Sequence, residues 1–467
     1  MFFASHLFIL IFLPLTLLLY YRLFKSSRNK LLFLLVISLL FYTAAGWEFG
    51  LLLFAISLLT YLSGQKGWYL PGVILNLGAL FVFKYLDFGI TTFNQLMHAA
   101  GFGLIAPLLQ LGLPLGISFY VFRHIGYLLD VKAGRYPAAS EVWSFLTFSF
   151  YFPQISAGPI SSYKEITVQF SNLPEHLEQE QATAGLVQLS YGLVKKVLIA
   201  DQLGLLLTSN INTPGNFPGV IPALYILITY TAQLYFDFSG YTDMALGVSS
   251  LFGIKLPANF NSPYLAQDIS EFWKRWHISL STWFRYYLFS PISRLLLKKW
   301  GPTHREWAQY ATNLTTMALI GIWHGAGWGY LLWGIYHGVL LNLNVRWKQS
   351  QIKVPNWLSR SVLLISLLFG WALFMSPSWA YFRHLLAGLS GMHGLGSPDL
   401  LYQLWQHNAT LVLLAAIPLA FSGYSEAATL LADDHRFTWW QMLTWGLLTA
   451  LALLAIQHGF DFLYAQF

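Results

Sequence analysis

The chain contains no cysteine, which excludes disulfides, palmitoylation of this chain, thiolate metal sites and a thioester carried on the protein itself. Charge is scarce too: Asp, Glu, Lys and Arg make up 10% of 467 residues, against 56% hydrophobic. With a mean hydropathy of +0.54, this excludes a soluble multidomain protein and leaves a polytopic membrane protein. No inverted internal repeat is visible, and such repeats mark many transporter folds. The first connecting loop holds Arg22, Lys25, Arg28 and Lys30 but no acidic residue. The positive-inside rule therefore places it in the cytoplasm and the N-terminus outside. Part of the net charge of +7 is this topology signal, so a pI of 9.2 is no argument for nucleic acid.

Apolar runs recur from end to end, at about 5–23, 31–46, 48–63, 68–84, 112–130, 141–157, 184–206, 218–236, 311–323, 326–345, 359–375, 408–422 and 438–459. Several are short or broken by Gly or Pro, which predicts about ten to twelve spans with re-entrant or interfacial pieces, all helical. The first run lacks a small-residue cleavage site and reads as a retained helix. Residues 91–110, interrupted by Gly101, Gly103 and Pro107, suit a surface-lying or re-entrant piece more than a span.

The segment 317–346, MALIGIWHGAGWGYLLWGIYHGVLLNLNVR, places His324 and His337 in otherwise uncharged apolar sequence. An ionisable side chain at membrane depth is expensive and marks a functional site by default; the plainer reading is two hydrogen-bonded packing residues. On one unbroken helix, thirteen residues span about 20 Å and about 220° of rotation, so the two imidazoles would not share a site. Either the glycines at 325, 327 and 329 fold His337 back, or one histidine acts alone, and His324 is then the candidate. Its neighbours Gly325, Ala326 and Gly327 let backbone or substrate approach closely.

Elsewhere, Arg123, His124 and Asp130 interrupt a span at helical spacing. Arg123 and Asp130 lie about 10 Å apart on one face and could be bridged only through a partner or water, which leaves a buried charge pair, a span ending at 122 or a substrate-lining role. The stretch from Tyr151, YFPQISAGPISSYKEI, reads as broken helix or loop at membrane depth. Residues 171–183 read as a solvated loop or interfacial helix. Between 229 and 300, Asp237 and Asp243 flank a predicted Ser-Gly-Tyr turn. Glu271, Lys274, Arg275 and His277 follow in one predicted helical run, capped by Asp268 and Ser270. Its basic residues suit a juxtamembrane belt. They also suit a polyphosphorylated cofactor, with Lys274, Arg275, Arg285 and Arg294 on phosphates and Trp273 or Trp276 on an adenine ring. A polar segment at about 376–407 and the acidic pair Asp433 and Asp434 suggest no site, and no metal-ligand set is read.

The motifs LPLGISFY (113–120), FPQISAGPI (152–160), YGLVKK (191–196), YFDFSGYTDMALG (235–247), NFNSPY (259–264), ISEFWKRWHISLSTWFR (269–285), IGIWHG (320–325) and YHG (336–338) stand in order. Together they make the chain resemble the membrane-bound O-acyltransferase (MBOAT) superfamily, and within it the bacterial enzymes that O-acetylate alginate, peptidoglycan and cellulose. It departs from their usual pattern at Tyr286, commonly Asp, and at Met375.

The resemblance implies one membrane domain over 1–467: packing helices at 1–110, a catalytic core at 111–346 and C-terminal helices at 347–467. A ring of tilted helices around a central tunnel is the implied architecture. It implies transfer of an acetyl group from cytosolic acetyl-CoA, a donor substrate rather than a bound cofactor, across the bacterial inner membrane. A periplasmic SGNH-type partner then finishes transfer to a polysaccharide. The family's essential histidine matches His324, and its second histidine matches His337. An imidazole, with an ordinary pKa near 6.5, suits the general base that accepts a hydroxyl proton; an acetyl-imidazole is the covalent variant. Lys274, Arg275 and Arg285 are then expected at the CoA phosphates, and His277 as either a packing residue or a cofactor contact. The competing expectations are D-alanyl transfer to teichoic acid, and a transporter or channel with an intramembrane histidine relay.

Overall fold

The computed structural model describes residues 3–103, 106–211, 219–396, 411, 412, 414 and 439–456. It is 78% helical with no strand among these residues. In hydrocarbon every backbone N–H and C=O needs a partner inside the protein, and a helix supplies one within the same segment. Four helices among the described residues are long and apolar enough to cross a membrane: Trp47–Gln65, Tyr69–Ala99, Val220–Leu251 and Asn356–Met375. Leu7–Leu23 and Leu443–Ala455 are shorter apolar helices. The chain is an all-α polytopic membrane protein. That number falls short of the ten to twelve expected spans because other runs are shorter, or turn polar residues inward. Ile117–Lys132 is one such helix: it buries Arg123, His124 and Asp130. The run at 408–422 and the pair Asp433 and Asp434 lie outside the described residues, apart from isolated positions in the run.

Three local expectations are corrected. Residues 91–99 continue the helix that starts at Tyr69, and the irregular segment begins only at Ala100. Asn94 and the Asp87 carboxylate hold that segment by binding the backbone of Ala106, Leu109 and Gln110 at 2.8 Å each. Second, Ser239, Gly240 and Tyr241 form no turn, because Val220–Leu251 is continuous. Third, the run after Asp268 is two short helices, Ile269–Arg275 and Ile278–Phe284, separated at His277, which takes the left-handed conformation. Arg123 and Asp130, for which the sequence left several readings open, have separate partners. Arg123 donates to the Phe148 carbonyl, while Asp130 accepts from Arg135, Tyr136 (3.2 Å) and Tyr287 (2.8 Å).

The stretch after Tyr151 is broken as expected: one turn, Phe152–Ile155, precedes an irregular segment. Its backbone is satisfied by buried side chains, with Gln154 donating to the Pro159 carbonyl at 2.8 Å and Ile160 N–H to Ser279 Oγ at 2.9 Å.

Glycines set the closest helix contacts. Gly185 and Gly192 on Gln179–Leu193 meet Gly247 and Gly240 on Val220–Leu251, where a Cβ at Gly192 would lie 2.5 Å from the Gly240 carbonyl oxygen. Close approach of small residues is how helices associate without a hydrophobic driving force. Buried ion pairs extend that seam: Lys195 to Asp243 (2.7 Å), and Lys196 to both Asp201 (2.6 Å) and Asp237 (2.7 Å). A second seam joins Arg305–His324 to Trp328–Gln349. There, a Cβ at Gly334 would lie 2.2 Å from the Met317 carbonyl oxygen.

Two predictions test these seams by thermal unfolding in detergent. Gly334→Ala, which forces a methyl against main chain, should destabilise by about 1–3 kcal/mol. Gly78→Ala, with nothing within 4 Å of the added carbon, should melt like the parent. Asp243→Asn removes the carboxylate of the buried Lys195–Asp243 pair and should destabilise by about 3–5 kcal/mol, whereas replacing both partners with apolar residues should lose less.

Candidate active site

The site is built on the helical hairpin Arg305–His324 and Trp328–Gln349. The first helix ends at His324 because Gly325 is extended (φ −165°, ψ 155°), and Gly327 is extended as well. At Gly325 a Cβ would lie 2.2 Å from the Tyr330 ring, so glycine is what lets Tyr330 close over the turn. The chain then reverses, and Gly321, Gly334 and Gly338 let the arms touch main chain to main chain. Of the two geometries open to the sequence, the structure takes the first: the glycines fold His337 back toward His324.

His324 and His337 are exposed by 2% and 0%. The Trp333 ring lies 5.1 Å from the His324 ring and 4.8 Å from that of His337. The two imidazole centroids are therefore less than 10 Å apart. Phe374 (5.3 Å) and Trp323 (5.0 Å) also border His324. Trp273 (5.3 Å) borders His337. Gly370 makes room for this ring, since a Cβ there would stand 2.8 Å from His337 Nε2.

Four buried nitrogens in this enclosure have no hydrogen-bond partner among the described residues: Nδ1 and Nε2 of His337, and Nε1 of Trp273 and Trp333. Buried polar atoms are normally paired, and orphans gathered in one place point to a ligand.

His277 is buried too, 4.6 Å from Phe238 and 6.1 Å from Trp323. Its Nδ1 accepts from Leu280 N–H at 3.3 Å, so the neutral ring carries its proton on Nε2. Trp323 also touches His324, which puts these two imidazoles within about 11 Å of each other. Trp276 is enclosed by Tyr235, Phe260, Tyr264, Phe272 and Trp371. Lys274 and Arg285 are exposed, and half-buried Arg275 pairs with Glu271 at 2.6 Å. The structure thus divides the six cofactor candidates, with Trp273, Trp276 and His277 inside and Lys274, Arg275 and Arg285 outside.

Ile269–Arg275 is pinned to the second arm of the hairpin, which is what brings Trp273 to His337. Asn344 donates to Asp268 and Ser270 (3.1 and 2.9 Å), and Lys348 pairs with Asp268 at 2.8 Å. Burial acts to raise the Asp268 carboxyl, but the Lys348 ammonium and the N–H groups of Glu271 and Ser270 outweigh it and hold the group below its ordinary value.

The sequence reading passed over Lys84. Its Nζ donates to the Trp323 carbonyl at 2.6 Å and to Ser118 Oγ at 3.1 Å. The signal was the one that singled out His324: an ionisable residue in an apolar run, FVFKYL. Among the described residues, no group of three His, Cys, Asp or Glu side chains is placed to hold a metal ion.

Residues 136–382 match the model of the MBOAT, membrane-bound O-acyltransferase, family. The chain is 36% identical over 398 residues to a protein of Pseudomonas syringae pv. tomato named probable alginate O-acetylase AlgI, covering 81% of this chain and 73% of the relative. To a Pseudomonas putida protein of the same name it is 35% identical over 452 residues, 91% of this chain and 87% of the relative. It is also 31% identical over 436 residues to a peptidoglycan O-acetyltransferase of Helicobacter pylori, covering 84% and 80%. Matches of this extent take in both histidine-bearing arms of the hairpin, and on them the chain belongs to the membrane-bound O-acyltransferase family and is an O-acyltransferase.

Proposed function

We propose that this enzyme takes an acetyl group from cytosolic acetyl-CoA and passes it across the bacterial inner membrane for O-acetylation of an extracytoplasmic polysaccharide of the alginate or peptidoglycan class. A periplasmic SGNH-type partner completes the transfer. The relatives' names support the acetyl group and the glycan acceptor. The carrying observation is the enclosure in which His324 and His337 approach each other beside the orphan nitrogens of Trp273, Trp333 and His337.

The hairpin supports the direction of transfer. Both of its open ends run into basic sequence, Arg294, Lys298, Lys299 and Arg305 before it and Arg346, Lys348 and Lys353 after it, which the positive-inside rule assigns to the cytosol. A 20-residue helix is about 30 Å long, so the His324 turn lies far from those ends. The exposed Lys274 and Arg285 stand where CoA phosphates approach from the cytosol. By the same rule the N-terminus lies outside.

In the step itself, His324 accepts the proton of an acceptor hydroxyl as its oxygen attacks the thioester carbonyl. The carbon–sulfur bond breaks, an ester forms, and the proton passes to the departing CoA sulfur. The indole N–H groups of Trp273 and Trp333 supply donors in the same enclosure for an oxygen that gains negative charge.

Purified protein given labelled acetyl-CoA should release free CoA, and His324→Ala should slow that release by about 10²–10⁴-fold at unchanged protein abundance. Parental release by the variant would overturn the assignment. Gly370→Ala, which pushes against His337 Nε2, should lower turnover about tenfold. The control, Gly89→Ala, has nothing within 4 Å and should turn over like the parent.

A further inference from the structure

Lys84 lies at the midpoint of the helix Tyr69–Ala99, fifteen residues from either end. An ammonium placed that deep costs more than a helix-end cap returns, and such residues are retained where they act. The local backbone is unusual as well: Phe81–Tyr85 is a π-helical turn, a distortion found often at functional sites.

The partners of this turn are specific. Lys84 Nζ donates to the Trp323 carbonyl at 2.6 Å, and the adjacent Tyr85 hydroxyl donates to the Ile322 carbonyl at 2.9 Å. These carbonyls belong to the last turn of Arg305–His324, where a helix has no N–H donors of its own to satisfy them. Lys84 also lies 5.6 Å from the centre of the Trp323 ring and binds Ser118. Trp323 Nε1 in turn donates to the Ser118 carbonyl at 3.5 Å. One side chain thus holds the main chain and the ring of the residue immediately before His324.

We infer that Lys84 is a positioning residue for His324: its ammonium binds the end of the histidine's helix and fixes the direction in which the imidazole faces the reacting groups. This rests on the acyl-transfer reading of His324 given above. A cation at a helix C-terminus is electrostatically favoured, and Arg preserves that charge and the donor where Met preserves neither. A residue that sets geometry acts on the chemical step, so its loss should appear in kcat and leave donor binding alone.

The test uses full-length protein in detergent, with acetyl-CoA-dependent CoA release measured for Lys84→Met, Lys84→Arg, Tyr85→Phe and His324→Ala in parallel. Lys84→Met should lower kcat by about tenfold or more with KM for acetyl-CoA within about twofold. Lys84→Arg should recover most of that loss, and Tyr85→Phe, which keeps the charge, should lose about threefold. Lys84→Gln carries the same test if the Met variant does not accumulate. Parental kcat in Lys84→Met, with His324→Ala inactive, would overturn the inference and leave the acyl-transfer reading standing. A raised KM at unchanged kcat would also overturn it and make Lys84 a donor contact. Full activity in His324→Ala would remove both.

Discussion

Main-chain contact between the two arms of the 305–349 hairpin is the constraint on which the site depends. At Gly321, Gly334 and Gly338 each arm lies close enough to the other that a single added carbon would meet backbone atoms at 2.2 to 3.0 Å. Helices in a bilayer gain little from sharing apolar surface, because lipid tails are equally apolar, so close packing has to supply the association. That approach sets the spacing of His324, Trp333 and His337, and the turn at Gly325–Gly327 ends the first arm at the imidazole. Without the glycines the histidines would lie on a single rod, far apart and facing different ways.

Around this hairpin the protein treats polar groups in two ways. Several ionisable groups remote from it are neutralised: Lys195 and Lys196 face Asp243, Asp237 and Asp201, and His124 bridges Asn76 and Ser149 at 3.0 and 2.9 Å. Such groups hold helices in register, and each has its partners inside the fold. In the hairpin enclosure, by contrast, the nitrogens of His337, Trp273 and Trp333 are buried without hydrogen-bond partners among the described residues. A membrane protein tolerates that arrangement where something else is to be bound. The contrast separates the ion-paired acids of Val220–Leu251 from the histidines proposed to act in transfer.

Much of this was legible in order along the chain. Hydropathy alone named the class, because in lipid only closed hydrogen-bonding patterns survive. The cost of an ionisable group at membrane depth picked out His324 and His337 before any coordinates, and the capping pattern placed Asp268 at the start of its helix, where its carboxylate accepts from Ser270 and Glu271. The same rule of cost applied to Lys84, but a lone lysine near the end of an apolar run looks like a boundary, and only continuation of the helix to Ala99 puts it at mid-span. The break at His277 was invisible for a different reason. A left-handed residue inside a helical pattern carries no signature when it is not glycine, and here its own ring supplies the cap.

The sequence by itself determined that the chain is an all-helical membrane protein and that its motifs, in their order, belong to an O-acyltransferase family, since composition and spacing are properties of the chain alone. Pairing was beyond it. Arg123 and Asp130 share a helix face yet find different partners: Arg123 the Phe148 carbonyl of the next helix, Asp130 the nearby Arg135 and Tyr287 from a distant segment. The meeting of His324, His337, Trp273 and Lys84 is of the same kind: residues from four separated segments converge only when helices pack, and which side chains then face one another is decided by that packing.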